Sequence, residues 1–450
     1  MSSSVHYVSV KEINIIQYRR QLANTKKQFK QWMALAKQLT YQDERIDQIE
    51  ALCQELELNS QQLESLNAGN ISQLTQKSLA FSHSLQDDMK NLREQMLEEQ
   101  ALARYTQQSQ QNTVALLKQL QQQLVIDSPL ITEIEKCEGM TQDKMSALLF
   151  KVTSEIKAQK EQPSVAQRQL LSQLQAQSEY TQKLWQGGVP QSPFAHQCHQ
   201  IALMIEKLRL VGNETEAKKS ENQFIEIQNL ADTPKRQLLA DSMIIKMAEV
   251  LRINVKRIEL MEALARLCAE LESFGNAEMT TLSQQTLAVA SLATTDQLEV
   301  MSTKVKQSIT TFEQKRAAEL QCKTVLEGLS QLGYVVHENA VNAWLDNGSV
   351  VVSHATIPDY GLELGGKQAR FQARTVALTQ QRDTRRDKDV DAIWCSQHQQ
   401  LQAILAKSNA ELVIERALPA GKNAMKVIET QEGAYQRSMT QIQKPKTFSR

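Results

Sequence analysis

The stretch Arg236–Phe274, RQLLADSMIIKMAEVLRINVKRIELMEALARLCAELESF, decides the fold class. Met247, Leu251, Ile258 and Met261 recur at helical spacing along one stripe, and Leu260, Leu264, Leu267, Leu271 and Phe274 along a second. A two-stranded coiled coil needs one narrow apolar seam. Two seams predict a helix at the centre of a bundle of three or more, the core of a helical subdomain.

Working back from it, the loop from Gly187 to Pro193 is the clearest break in the helical pattern and is expected to separate two subdomains. No proline precedes Pro129, so the early chain can hold long helices. The first is predicted from about Ser9 to Leu39, with Leu22, Phe29, Met33 and Ala36 on its apolar side. Beside that stripe Arg19, Lys26, Lys30 and Lys37 share a helix face, which Arg20 and Lys27 widen. The next segment carries Asp43, Glu44, Asp47, Glu50, Glu55 and Glu57 against Arg45, so the two are expected to form an antiparallel hairpin. After a turn at Asn67–Gly69, Leu74, Phe81, Leu85, Leu92 and Met96, then Val114, Leu117, Leu120 and Leu124, repeat in a coiled-coil manner. The polar interval between Glu98 and Asn112 fits either a solvated helix or a break. Further helix starts are marked by Ser128 before Pro129, Ser164 with Gln167, Thr233 before Pro234, and Thr294 with Gln297; Gly139 stops a short helix.

Beyond Leu332 the period changes. Tyr334–His337, Ser349–His354, Leu362–Leu364 and Ala369–Ala377 read as short strands, with turns at Asp346–Gly348 and Leu364–Gly366. A charged helix over about Thr384–Lys407 leads to a strand over Glu411–Ala417, a turn at Pro419–Gly421 and a last strand near Met425–Ile428. The expected architecture is mainly α: elongated, coiled-coil-like bundles followed by a small C-terminal α+β domain with an antiparallel sheet. Its expected parts are an N-terminal bundle over 1–186, a second bundle over 194–331, the α+β domain over 332–429 and a flexible tail over 430–450.

Composition agrees. Aromatics make up 5% of the chain, glycine is sparse, and glutamine outnumbers lysine and arginine combined, which suits thin helical packing. With 51 basic and 51 acidic residues, net charge does not indicate nucleic acid as a partner. Six widely spaced cysteines, the polar first ten residues and the lack of an apolar run near the ~18 residues of a spanning helix point to a cytoplasmic protein with reduced thiols.

Candidate chemistry is sparse. The segment Gly361–Lys367 matches a phosphate loop until Gln368, where a magnesium-binding hydroxyl belongs, and a strand follows in place of a helix; a glycine turn is expected. His196, Cys198 and His199, like Cys395 with His398, supply too few ligands for a closed zinc site. Asp383, Asp387, Asp389 and Asp391 alternate with basic residues at a helix start, the pattern of a solvated, dipole-favoured face more than of a metal site. No metal and no cofactor are expected. The candidate partner-binding residues are therefore Arg19, Lys26, Lys27, Lys30 and Lys37, with pairing to the acidic second helix as the competing reading.

Gly333-Tyr334-Val335, Asp359-Tyr360-Gly361-Leu362-Glu363-Leu364, Trp394-Cys395 and Pro419-Ala420-Gly421 carry one likeness. In them the C-terminal segment resembles a domain that ends uncharacterised coiled-coil proteins of bacterial defence-type gene clusters, found beside AAA-type ATPases and von Willebrand A proteins. No catalytic motif comes with it. The resemblance implies an adaptor or assembly subunit of a cytoplasmic bacterial complex in anti-phage defence, with an ATPase among its partners. The architecture adds homo-oligomerisation through the helices and docking of a protein partner through the C-terminal domain. The competing expectation is a metal-dependent nuclease or other hydrolase with its site around His354, Asp387 and His398. A third has the basic first helix coating nucleic acid or a membrane.

Overall fold

The computed structural model describes residues 3–39, 43–124, 128–137, 139–140, 142–159, 193–230, 234–367, 370–422 and 424–428. The expected break at 187–192, the cap at Ser164, Thr233 and the tail over 430–450 lie outside these residues. The chain forms two compact units, one from Met1–Gln31, Gln42–Leu85 and Ala263–Arg450, the other from Trp32–Tyr41 and Gln86–Glu262.

The element order opens on a strand. Strand β1 (Ser3–Val10) leads directly into helix α1 (Lys11–Gln38), followed by α2 (Asp43–Gln61) and α3 (Ala68–Gln121). The first helix thus begins two residues later than the sequence suggests, because the residues before it pair in a sheet. Helix α3 runs unbroken through the polar interval 98–112, which is a solvated length of helix. Its start uses Asn67, whose Oδ1 accepts from the Asn70 amide at 2.8 Å.

Within the second unit, α4 (Leu130–Glu135) and α5 (Gln142–Gln159) pack with the end of α3 around Leu117, Leu120, Ile134, Cys137, Leu148 and Val152. A second cluster joins α6 (Pro193–Leu210), α7 (Glu214–Gln228) and the first half of α8 (Pro234–Ser273) through Ile201, Leu208, Phe224, Met243 and Met247. Arg93 of α3 is buried in this unit and pairs with Glu259 at 3.2 Å and Glu262 at 2.6 Å.

In the first unit, α1 and α2 form the antiparallel hairpin that their opposite charges suggest. Tyr18 donates to the Leu56 carbonyl at 2.6 Å, Lys11 Nζ to the Glu64 carbonyl at 2.6 Å, and Lys26 meets Glu57 at 2.5 Å. Thr25 touches Ser78 at 3.0 Å and Ser82 donates to Gln28 at 2.6 Å, so the start of α3 runs parallel to α1. The end of α8 lies against α1 through Asn24–Glu270 and Arg266–Gln31 and leads into α9 (Ala277–Ala290) and α10 (Thr295–Gln331). Thr294 and Gln297 cap α10 in the reciprocal manner their spacing implies.

The α+β part contains β2 (Tyr334–Val335), α11 (Ala340–Asn347), β3 (Ser349–His354), β4 (Ile357–Lys367), β5 (Arg370–Ala377), a 3-10 turn at Thr384–Arg386, α12 (Asp387–Lys407), β6 (Ala410–Leu418) and β7 (Lys426–Val427). Strand order is β2-β3-β4-β5-β1-β6, antiparallel throughout, while β7 adds a short parallel pairing to β5. The domain expected over 332–429 therefore takes an inner strand from the N-terminus: Tyr7 lies between Arg370 and Val413. Helices α10, α11 and α12 cover one face through Cys322, Leu326, Leu329, Trp344, Trp394, Leu401 and Leu405 against Val8, Leu362, Leu364, Phe371, Ala373 and Leu412.

Two expectations change here. Asp346–Gly348 is not a free turn: it ends α11, whose left-handed cap is Gly348 at φ 75°, and the helix buries Trp344. Gly365 and Gly366 are not the hairpin turn either, because both lie within β4 and pair with Gln372 and Phe371. Gly366 has φ 140°, and a Cβ there would stand 2.6 Å from the Arg370 carbonyl oxygen, so the close backbone approach requires glycine. The glycines that imitate a phosphate loop are thus fixed in a β-ladder. Close approach also explains Gly328, where a Cβ would meet Leu401 at 2.7 Å between α10 and α12.

Candidate functional site

Most of the side chains that could carry chemistry meet along α12. Val390, Trp394, His398, Leu401 and Leu405 recur every three or four residues and, with Asp391, form its buried face. At its start, Asp387 accepts a forked bond from Arg382, with Nε at 3.0 Å from Oδ1 and Nη2 at 2.9 Å from Oδ2. Tyr360 also donates to Oδ1 at 2.9 Å. Burial acts to raise the Asp387 pKa, but the bonds from Arg382 and Tyr360 outweigh it and hold the carboxyl below its ordinary range. One turn on, buried Asp391 accepts from the Thr375 hydroxyl and, at 2.9 Å, from the Gly421 amide. It ties the Pro419–Gly421 turn to β5. Asp383 caps the 3-10 turn by accepting from the Arg385 amide at 3.1 Å, and Asp389 faces solvent.

Further along, His398 lies 1% exposed and stacks on His6 of β1, itself 0% exposed, with ring centroids 4.7 Å apart and Nε2 3.2 Å from Nδ1 of His6. His6 also stacks on Phe371, and its Nε2 is 2.5 Å from the Ser4 hydroxyl. Burial, then the neighbouring His398, pushes the His6 pKa down to about 3, and burial lowers that of His398. The His6 ring is neutral at ordinary pH. The sequence reading missed His6 and did not place a strand there, although Ser4, His6, Val8 and Val10 are the inward residues of an alternating run.

A separate chain of bonds holds His354. Its Nδ1 is 2.9 Å from the Thr356 hydroxyl, its Nε2 is 3.0 Å from Gln397 Nε2, and Tyr334 donates to Gln397 Oε1 at 2.6 Å. His354, Asp387 and His398, the residues of the expected hydrolase site, therefore belong to three different bonding sets. Cys395 and His398 also differ: the thiol is half-buried while the imidazole is enclosed. In α6, His199 packs edge-on against Tyr105, and burial pushes the Cys198 thiol up to about 11. Among the described residues no group of three His, Cys, Asp or Glu could hold a metal ion.

The basic residues of α1 divide. Arg19, Lys30 and Lys37 are exposed, and Lys27 is half-buried. Lys26 pairs with Glu57 of the acidic helix. The widening residue Arg20 turns elsewhere, to Glu313 at 2.6 Å and Glu270 at 3.4 Å, and burial raises the pKa of both carboxyls.

Opposite the helices, the sheet shows a different surface. Tyr7 is 40% and its cross-strand neighbour Val413 41% exposed. Beside them Arg370, the partner of Tyr7 on β5, is bonded to Glu415 at 2.9 Å across β1. Among the described residues no strand pairs with the outer side of β6, and no helix is long and apolar enough to cross a membrane. No protein-family model matches this chain, and no curated protein and no solved structure matches it either.

Proposed function

We propose that the chain is a non-enzymatic adaptor or assembly subunit of a bacterial complex. In this reading the helices supply length and oligomerisation surfaces, and the C-terminal sheet docks a protein partner. The observation that carries the reading is the sheet face opposite α10, α11 and α12, where Tyr7 and Val413 lie side by side and exposed beside the Arg370–Glu415 ion pair. An apolar centre with a polar rim is the anatomy of a protein interface. The resemblance of the C-terminal segment to defence-type coiled-coil proteins makes an ATPase the partner of choice and anti-phage defence the setting.

Affinity capture from the native host, quantified by mass spectrometry, tests it with the full chain. The wild type should recover a stoichiometric protein partner, and Tyr7→Glu with Val413→Glu should lose it while circular dichroism stays unchanged. Equal recovery by both proteins, or no partner with either, overturns the reading. The hydrolase alternative has no comparable support, since Asp387 is engaged by Arg382 and Tyr360. Metal-dependent hydrolysis lost on Asp387→Ala would restore it.

A further inference from the structure

We infer that the outer edge of β6 pairs antiparallel with the same strand of a second copy of this chain, joining two sheets across a two-fold axis at Val413. Among the described residues no strand lies on that edge. An open edge offers unpaired backbone groups to another strand, and proteins blunt it by shortness or by charge. The opposite edge of the sheet is blunted by shortness, since β2 has two residues. Strand β6 has nine, with Leu412-Val413-Ile414 at its centre, and every side chain from Ile414 to Ala417 is exposed. The Gln402 amide donates to the Leu412 carbonyl at 2.8 Å, which leaves that oxygen a second lone pair.

The register identifies the occupant. Along β1, Ser9 pairs with Glu411, Tyr7 with Val413, His6 with Ile414 and Val5 with Arg416, so Glu415 is an extra, bulged residue. Ser9, Tyr7 and Val5 are two apart and share a face, and their partners Glu411, Val413 and Arg416 therefore share one too. About an axis at Val413 this row reads the same from both ends. Glu411 meets the partner's Arg416, Arg416 meets the partner's Glu411, and Val413 meets its own equivalent. On the other face Leu412 meets the partner's Ile414, and Ala410 the partner's Ala417. Direct cross-strand pairs of opposite charge and of apolar side chains favour pairing, and an isologous contact requires such self-complementarity. An axis at Leu412 or at Ile414 sets neither charge opposite the other, so one register is specified. Glu411 and Arg416 are exposed, and among the described residues neither forms an ion pair, whereas Glu415 is held by Arg370. Both charges are open to a second copy.

Sedimentation velocity of the full chain over a concentration series tests this, with Glu411→Arg and Arg416→Glu made separately. The wild type should form dimers. Each variant alone should dimerise about tenfold more weakly, because two opposite-charge pairs become two like-charge ones. An equimolar mixture of the two variants should regain dimers, since one carries two basic side chains in the row and the other two acidic ones. Both substitutions fall on exposed side chains and leave Tyr7 and Val413 in place, so loss of dimers and loss of a docked partner are separate outcomes. A wild type that stays monomeric overturns the proposal, as do single variants that dimerise like the wild type or a mixture that does not recover.

Discussion

The α3–α5 cluster and the six-strand path of the sheet solve one problem, burial of apolar surface, at opposite chain separations. The cluster draws Leu117, Ile134, Cys137, Leu148 and Val152 from a short continuous segment. The sheet places His6 between Phe371 and Ile414. Local helix packing closes small loops at low entropic cost, whereas inserting β1 requires the ends of the chain to meet. One consequence is unequal dependence on the N-terminus. The cluster holds its own core, but β6 reaches the rest of the sheet through β1.

The largest effect that would break this contrast comes from deleting residues 3–10. Exposure of both flanking strands should cost the α+β part on the order of the whole stability of a domain, ~5–15 kcal/mol. Hydrogen exchange should show β5 and β6 amides losing protection while those of α4 and α5 keep it. Equal loss in both regions would show that they unfold as one.

Asp391→Ala comes next. The carboxylate holds the Thr375 hydroxyl and the Gly421 amide, so its removal leaves two donors without their acceptor and should cost ~2–4 kcal/mol by urea denaturation.

Acid should sharpen the comparison further. The folded pKa of His6 is near 3, below the ordinary 6.5, so the unfolded chain takes up the proton first as pH falls. Stability linked to this group is fully present above pH ~6.5 and declines on acidification towards pH ~3, with a loss of about 2 kcal/mol by pH ~5 from His6; His398 acts in the same direction. Urea midpoints measured against pH should slope less in His6→Phe. A slope unchanged by that substitution would remove the pair as the cause.

Smallest is Lys26→Ala. The Lys26–Glu57 pair is solvent-exposed, so its loss should shift stability by ~0–1 kcal/mol despite the short contact.

Much of the α+β part was legible in particular residues. The β-branched run within Ser349–His354 gives β3 at its observed limits, and the charged run after Thr384 gives α12. Helix α11 was not, since eight residues between strands show barely two turns of periodicity. The candidate site was legible only in part. His398 and Asp387 stood out as residue types, but His6 lies in the polar first ten residues, where no strand was expected. Its partner is 392 positions away, and no spacing rule reaches that far.

By itself, then, the sequence determined the long helices, the Thr294–Gln297 cap and most strands, because those depend on periodicity and on side chains a few residues apart. Only the tertiary structure decided that β1 sits between β5 and β6. It also decided that the glycines of the apparent phosphate loop lie in a strand, and that the carboxylates of α12 hold a turn, an arginine and a tyrosine. Those outcomes depend on which surfaces meet across the folded chain, and that meeting is set by the shared burial of distant residues.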